Sequence, residues 1–100
     1  MREFEIYLPS TRNDGSKLDP KKLDAIREIL LLSFGGYTES KYEKQGAWRM
    51  GGVSYYDEIS IIKVLASETC DFDLRDFKRR AEEELEQEAI LIVDRDVRIV

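Results

Sequence analysis

The chain has 100 residues, 37% of them charged, with 16 Lys and Arg against 21 Asp and Glu and a net charge of −5. That acidic balance argues against a phosphate-backbone binder, which needs a concentrated basic face. With no histidine and one cysteine, a single chain has no intramolecular disulfide, ordinary structural zinc site, Ser-His-Asp triad or Cys-His dyad.

Ile, Leu, Val and Phe make up more than a quarter of the residues, enough to collapse into one domain spanning 1–100. Phe4, Ile6 and Leu8 alternate with Glu3, Glu5 and Tyr7, so residues 3–8 read as a half-buried strand. Pro9 ends it, because proline lacks the N–H that a ladder needs. Ser10, Asn13, Asp14, Gly15 and Ser16 then form a turn-rich loop. Asp19-Pro20 reads as a helix N-cap followed by proline at the first helical position. Leu23, Ile26, Leu30 and Phe34 make one apolar helical stripe, which Gly35-Gly36 terminates.

Residues 37–45 are strand-like but polar, as suits a charge-guarded edge strand. Gly46 to Gly52 read as a glycine-punctuated connection around Trp48 and Arg49. Residues 53–66 are the longest strand candidate and carry apolar groups on both faces. Tyr55, Ile59, Ile61 and Leu65 lie on one face, Ile62, Val64 and Ala66 on the other. Asp71 and Asp73 open a second helix with the stripe Leu74, Phe77, Ala81 and Leu85. Residues 89–93 form a short apolar strand, which the tail from Asp94 to Val100 continues or follows with a fifth.

The order β-α-β-β-α-β predicts a ferredoxin-like α+β sandwich. Two helices then cover one face of a four-stranded antiparallel sheet. Strand order 4-1-3-2 is expected by analogy with that fold. Two helices leave the second sheet face open, and an apolar patch there favours a homodimer packed through it. Glu3, Glu5, Tyr7 and Lys63 must then lie in or beside the interface. The competing reading has a C-terminal strand or loop of the same chain covering that face.

Tyr37, Tyr42, Trp48, Tyr55 and Tyr56 fall within twenty positions, beside Thr38, Gln45, Arg49, Asp57 and Glu58. A hairpin of the second and third strands can bring such groups together, and aromatic walls with a few polar groups make small-molecule pockets. Tyr37, Thr38, Gln45, Trp48, Arg49, Tyr55 and Glu58 are the candidate lining, with Arg49 able to orient a carboxylate or phosphate. The plainer alternative is a hairpin packed by cross-strand aromatics. Asp57 and Glu58 are adjacent on a strand and point to opposite faces, so they cannot work as a mutual acid–base pair. The run from Asp71 to Asp76 fails as a calcium loop, because Arg75 and Asp76 stand at ligand and glycine positions; helix capping explains it. The loop 10–16 lacks a P-loop pattern, and Cys70 has no histidine to activate it.

The segments Phe34-Gly35-Gly36-Tyr37-Thr38, Gln45-Gly46-Ala47-Trp48-Arg49 and Gln87-Glu88-Ala89-Ile90-Leu91 together resemble an uncharacterised family of small bacterial proteins. Its members show F-x-x-G-x-T, G-x-W-R and Q-E-(A/S)-(V/I)-L motifs, and the resemblance spans about residues 4–93. It implies an α+β sandwich without an assigned activity or catalytic residues. Many of those relatives are exported, whereas the start Met1-Arg2-Glu3-Phe4-Glu5 does not read as a signal peptide and no apolar run reaches membrane-spanning length. A cytoplasmic location is therefore expected. Gln87 and Glu88 are placed in the last helical turn, and a Glu88–Arg49 ion pair would explain an acid at that end.

The functional expectation is a non-catalytic homodimeric module that binds a small ligand or a protein partner near the hairpin. No cofactor, metal, nucleic acid or membrane is expected. The alternatives are a small enzyme acting on an anionic molecule with Arg49 and a carboxylate, and a structural or assembly accessory protein.

Overall fold

A computed structural model describes the backbone of residues 1–50 and 53–100 and the side chains of residues 1–42 and 58–100. The elements are β1 (Arg2–Pro9), α1 (Pro20–Phe34), β2 (Thr38–Met50), β3 (Val53–Ala66), α2 (Leu74–Glu84) and β4 (Leu91–Asp96). The four strands form one sheet in the order β2-β3-β1-β4, with all neighbours antiparallel. This is the expected ferredoxin-like arrangement, read from the other edge.

Alternation along β1 fixes which face is which. Phe4 lies opposite Val64, and Ile6 lies between Ile62 and Ile92. These side chains share the sheet face on which the helices pack. Their core takes in Ile26 and Leu30 from α1, and Phe77 and Ala81 from α2 followed by Leu85. Leu18 and Ile90 join this core from outside the regular elements, which the stripe pattern alone did not reveal. One end is closed by a chain of rings: Phe4 meets Phe34 edge-on at 5.9 Å, Phe34 meets Phe72 at 4.8 Å, and Phe72 meets Phe77 at 5.5 Å.

Local signals set the helix ends. The Asp19 carboxylate accepts the Lys21 N–H, and Pro20 begins α1. Gly35 closes it at φ 76°, donating its N–H to the Leu31 carbonyl. Asp73 caps α2 by accepting the Asp76 N–H.

Three expectations need correction. The segment from Gly46 to Met50 belongs to β2, because its backbone pairs onward with β3 through a register shift between Glu43 and Ala47. α2 stops at Glu84, so Gln87 and Glu88 lie beyond it. There the chain turns through Glu86 at φ 53°, and the Gln87 amide donates to the carbonyls of Thr11 and Leu85. The last strand starts at Leu91 and runs into the tail as far as Asp96, with no fifth strand among the described residues. The Glu88–Arg49 pair falls on a side chain outside the described residues.

Ion pairs tie the helices and loops to the sheet. Arg27 on α1 grips Glu39 on β2 with two bonds, Nε to Oε1 at 2.8 Å and Nη2 to Oε2 at 3.0 Å. Both side chains are largely buried, at 18% and 16% exposed. Arg27 is the main cause holding the Glu39 carboxyl below the usual carboxylate range. Near the N-terminal end of α1, Glu86 accepts from Arg12 at 2.8 Å and from Lys22 at 3.4 Å. Glu82 accepts the Ile90 N–H at 2.9 Å, which fixes the lead into β4.

Truncating Leu30, which is fully buried, to alanine is expected to cost about 2–5 kcal/mol in urea unfolding. Glu39→Gln is expected to cost about 1–2 kcal/mol at neutral pH, the scale of a charge-assisted bond. Because the folded Glu39 pKa is lowered, its contribution is present above the unfolded value and disappears as pH falls through the folded one. The stability gap between wild type and Glu39→Gln should therefore begin to narrow as pH falls past the ordinary carboxylate range, about 4.3, and close only below the lowered folded value.

Candidate functional site

The hairpin residues singled out from sequence are strung along a long ladder. Thr38 opens β2 opposite Lys63, whereas Trp48 pairs with Tyr55 and Arg49 with Ser54 near the far end. At roughly 3.3 Å per residue, Thr38 and Trp48 are about 30 Å apart along the strand. Tyr37 packs against the helix-side core at the near end, and Thr38 is exposed. Glu58 is half-buried, stands opposite Glu43, and accepts the Ser10 hydroxyl on its backbone carbonyl. Gln45 lies within the register shift between Glu43 and Ala47. The ladder thus brings Trp48, Arg49 and Tyr55 together at backbone level and holds Tyr37 and Thr38 away from them. The side chains of Gln45, Trp48, Arg49 and Tyr55 lie outside the described residues.

The ladder has a second property. β1 pairs with β3 only from Ile59 to Ala66. Residues Val53 to Glu58 of β3 therefore have β2 as their one strand neighbour among the described residues. The distal hairpin is a two-stranded ribbon extending past the four-stranded sheet.

The sheet face away from the helices carries a polar centre that sequence reading did not assemble. Alternation places Glu3, Glu5, Tyr7 and Pro9 of β1 there, with Ile59, Ile61, Lys63 and Leu65 of β3 and Leu91, Val93 and Arg95 of β4. Glu5 is 6% exposed. Its Oε2 accepts from the Tyr7 hydroxyl at 3.0 Å and from Arg95 Nη2 at 2.8 Å, and Lys63 Nζ sits 3.3 Å from Oε1. Three donors converge on one buried carboxylate, which offsets much of its desolvation. Burial, and then the bond to Glu5, push the Tyr7 phenol above its ordinary pKa.

Around this centre the face is apolar. Ile59 and Pro9 are buried, Ile61, Leu91 and Val93 are half-buried, and Leu65 and Tyr42 are exposed. The expected open apolar face is therefore mixed. Glu5 and Lys63 are accommodated by pairing with each other, and Arg95 completes the set. The missed signal was the cross-strand register, since Lys63 is directly opposite Glu5 while Arg95 is one step diagonal through Glu3. Among the described residues no group of three or more His, Cys, Asp or Glu is placed to hold a metal ion, and no helix is long and apolar enough to cross a membrane.

Glu5→Gln removes the negative charge that Lys63 and Arg95 share. It is expected to lower stability by about 1–3 kcal/mol, the range for a disrupted charged hydrogen-bond set. The same substitution removes the anion beside Tyr7. Its phenol should then titrate at lower pH than in wild type, followed by NMR of that residue.

No family model and no curated protein matches the chain. Solved structures do. A mutant of CutA1 from Pyrococcus horikoshii OT3 is similar over 100% of this chain and 86% of its own, with a TM-score of 0.60 and 15% identity. CutA1 from Pyrococcus horikoshii is similar over the same shares, with a TM-score of 0.57 and 17% identity. A phage SAM lyase in complex with S-methyl-5'-thioadenosine is similar over 95% of this chain and 80% of its own, with a TM-score of 0.61 and 10% identity. At such identities the shared property is the fold: a ferredoxin-like βαββαβ sandwich of the kind found in CutA1.

Proposed function

We propose that the chain is a non-catalytic module that self-associates through the open face of its sheet and binds a small ligand or protein partner near the β2–β3 hairpin. The reading is supported first by the ribbon. β2 has 13 residues and β3 has 14, against 8 in β1. A two-stranded ribbon is marginal alone in water and gains stability once a further surface packs on it. A ribbon held out beside a partly apolar sheet face suits packing against another polypeptide. Tyr42 and Leu65, 52% and 47% exposed, are the apolar side chains such packing would cover.

The resemblance to the uncharacterised bacterial family adds no activity to this reading. A second reading takes the chain as an enzyme on an anionic small molecule. It draws on the fold shared with a lyase that holds a nucleoside thioether. It asks Arg49 to work with a carboxylate such as Glu58. By register, Ser54 opposite Arg49 is four residues from Glu58, about 13 Å along the strand at ~3.3 Å per residue. That spacing favours binding over a shared acid–base centre.

Light scattering after size exclusion tests the first reading. A mass above 11.7 kDa at micromolar concentration supports self-association, and a monomer there sinks it. A thermal-shift screen with S-methyl-5'-thioadenosine, nucleotides and common metabolites tests ligand binding. A shift abolished by Trp48→Ala or Arg49→Ala locates the ligand at the hairpin. With no shift from any compound, the protein-partner reading stands alone.

A further inference from the structure

We infer that a second copy of the chain docks antiparallel on the outward face of α1, with Lys21 of each copy reaching Glu28 of the other. This contact lies on the helix layer and does not depend on the sheet-face association proposed above. The starting point is apolar surface that the fold leaves uncovered. α1 buries Ile26 and Leu30 against the sheet. Yet Ile29 is 39%, Leu31 48% and Leu32 78% exposed. A surface helix ordinarily confines its apolar residues to one stripe, so three large ones outside that stripe mark a contact surface.

Helical spacing defines the face. Lys21, Ala25, Glu28 and Leu32 follow at steps of four, three and four, within about 60° of one another around the axis and opposite Ile26 and Leu30. All four are exposed. Ile29 and Leu31 flank this line on either side. The neighbouring charges are spent within the chain, Lys22 on Glu86 and Asp24 on Arg27. No ion pair engages Lys21 or Glu28 among the described residues. In order, the face presents an unspent cation, a small residue, an unspent carboxylate and an exposed leucine.

That order selects a second copy and its direction. Parallel helices in register would set Lys21 against Lys21 and Glu28 against Glu28. An antiparallel two-fold pairing can instead place Lys21 level with the second copy's Leu32, and Ala25 level with its Glu28. Lys21 is then four residues, about 6 Å, along the axis from that Glu28. A lysine stem covers such a distance and lies over Leu32 while its ammonium reaches the carboxylate. Ala25 is small enough to let the helices approach where they cross. The helix ends favour the same direction. α1 has no acid in its first turn and no base in its last. Lys21 therefore sits at the end where a cation opposes its own helix dipole. The antiparallel copy brings its Lys21 to the last turn of α1, where a cation is favourable.

Sedimentation velocity on the intact chain at micromolar concentration tests the inference. Leu32→Ser should weaken association by about tenfold or more, as loss of a buried leucine does. Lys21→Glu should weaken it too, and Lys21→Glu combined with Glu28→Lys should restore it, because the swap rebuilds both cross-copy pairs. Lys21→Glu places an acid in the first turn, so its thermal midpoint should hold or rise, which separates lost association from unfolding. Ala25→Cys in a Cys70→Ser background should give a covalent dimer with a short bis-maleimide. Leu65→Ser probes the sheet face separately. Weakening by Leu32→Ser but not by Leu65→Ser supports the α1 contact and counts against the sheet-face one; weakening by both supports both. Weakening by Leu65→Ser alone, with no link through position 25, overturns the α1 contact and leaves the sheet face standing. Failure of the double swap to recover association overturns the antiparallel pairing. A monomeric wild type overturns both contacts.

Discussion

The alternation of β1 is the constraint on which the rest of the structure depends. β1 lies inside the sheet, between β3 and β4, so both its edges are committed, and one of its faces is buried under the helices. Phe4, Ile6 and Leu8 turn toward the helices, and Glu5 and Tyr7 turn away. A slip of one residue would drive Glu5 into the helix-side core and expose Ile6, so the register is strongly specified. Glu5 contributes to that specification as well as the apolar residues do. A buried carboxylate is tolerated only where donors reach it, and Lys63 and Arg95 reach it in one register.

The helices follow from the same face. α1 and α2 are amphipathic and have little to hold them apart from burial, and the sheet offers them one apolar surface. Their positions are refined by side chains that sequence periodicity ignores. Arg27 and Glu39 fix α1 against the edge strand β2. Gln87 reaches from beyond α2 to the Thr11 carbonyl, joining the two loops at that end of the sandwich. Glu86 accepts a left-handed backbone there, which costs a non-glycine residue some strain, and two cations hold its carboxylate. The motif Gln87-Glu88-Ala89-Ile90-Leu91 therefore has a local physical role: an amide tie, then a buried isoleucine, then entry into β4.

Much of the fold was legible in the sequence because its signals are local. Asp19-Pro20 and Gly35 delimit α1 by capping chemistry, and the period-two pattern of residues 3–8 fixes the faces of β1. The extension of β2 through Gly46 to Met50 was not legible. Glycine near a turn reads as loop, and only pairing with β3 makes those residues strand. The Glu5 centre was hidden for a related reason. Glu5, Lys63 and Arg95 are far apart in the chain, and each alone reads as an ordinary solvated charge. Their meeting depends on two registers at once, which single-strand periodicity does not contain. The hairpin cluster shows the reverse error: closeness in sequence suggested one site, but an extended strand separates Thr38 from Trp48 by its own length.

The two ends of the β2–β3 hairpin therefore differ in what supports them. Near its base, Glu39 is anchored to α1 and β3 is flanked by β1. Beyond Glu58 toward the tip, the described backbone has the β2–β3 ladder alone. Each strand bond there is flanked by one neighbouring strand where the base of the hairpin has two. Within the sandwich Glu5, Glu39, Glu82 and Glu86 are each tied to a cation. Among the described residues the open face keeps Tyr42 and Leu65 exposed, and these are the side chains that the proposed self-association would cover.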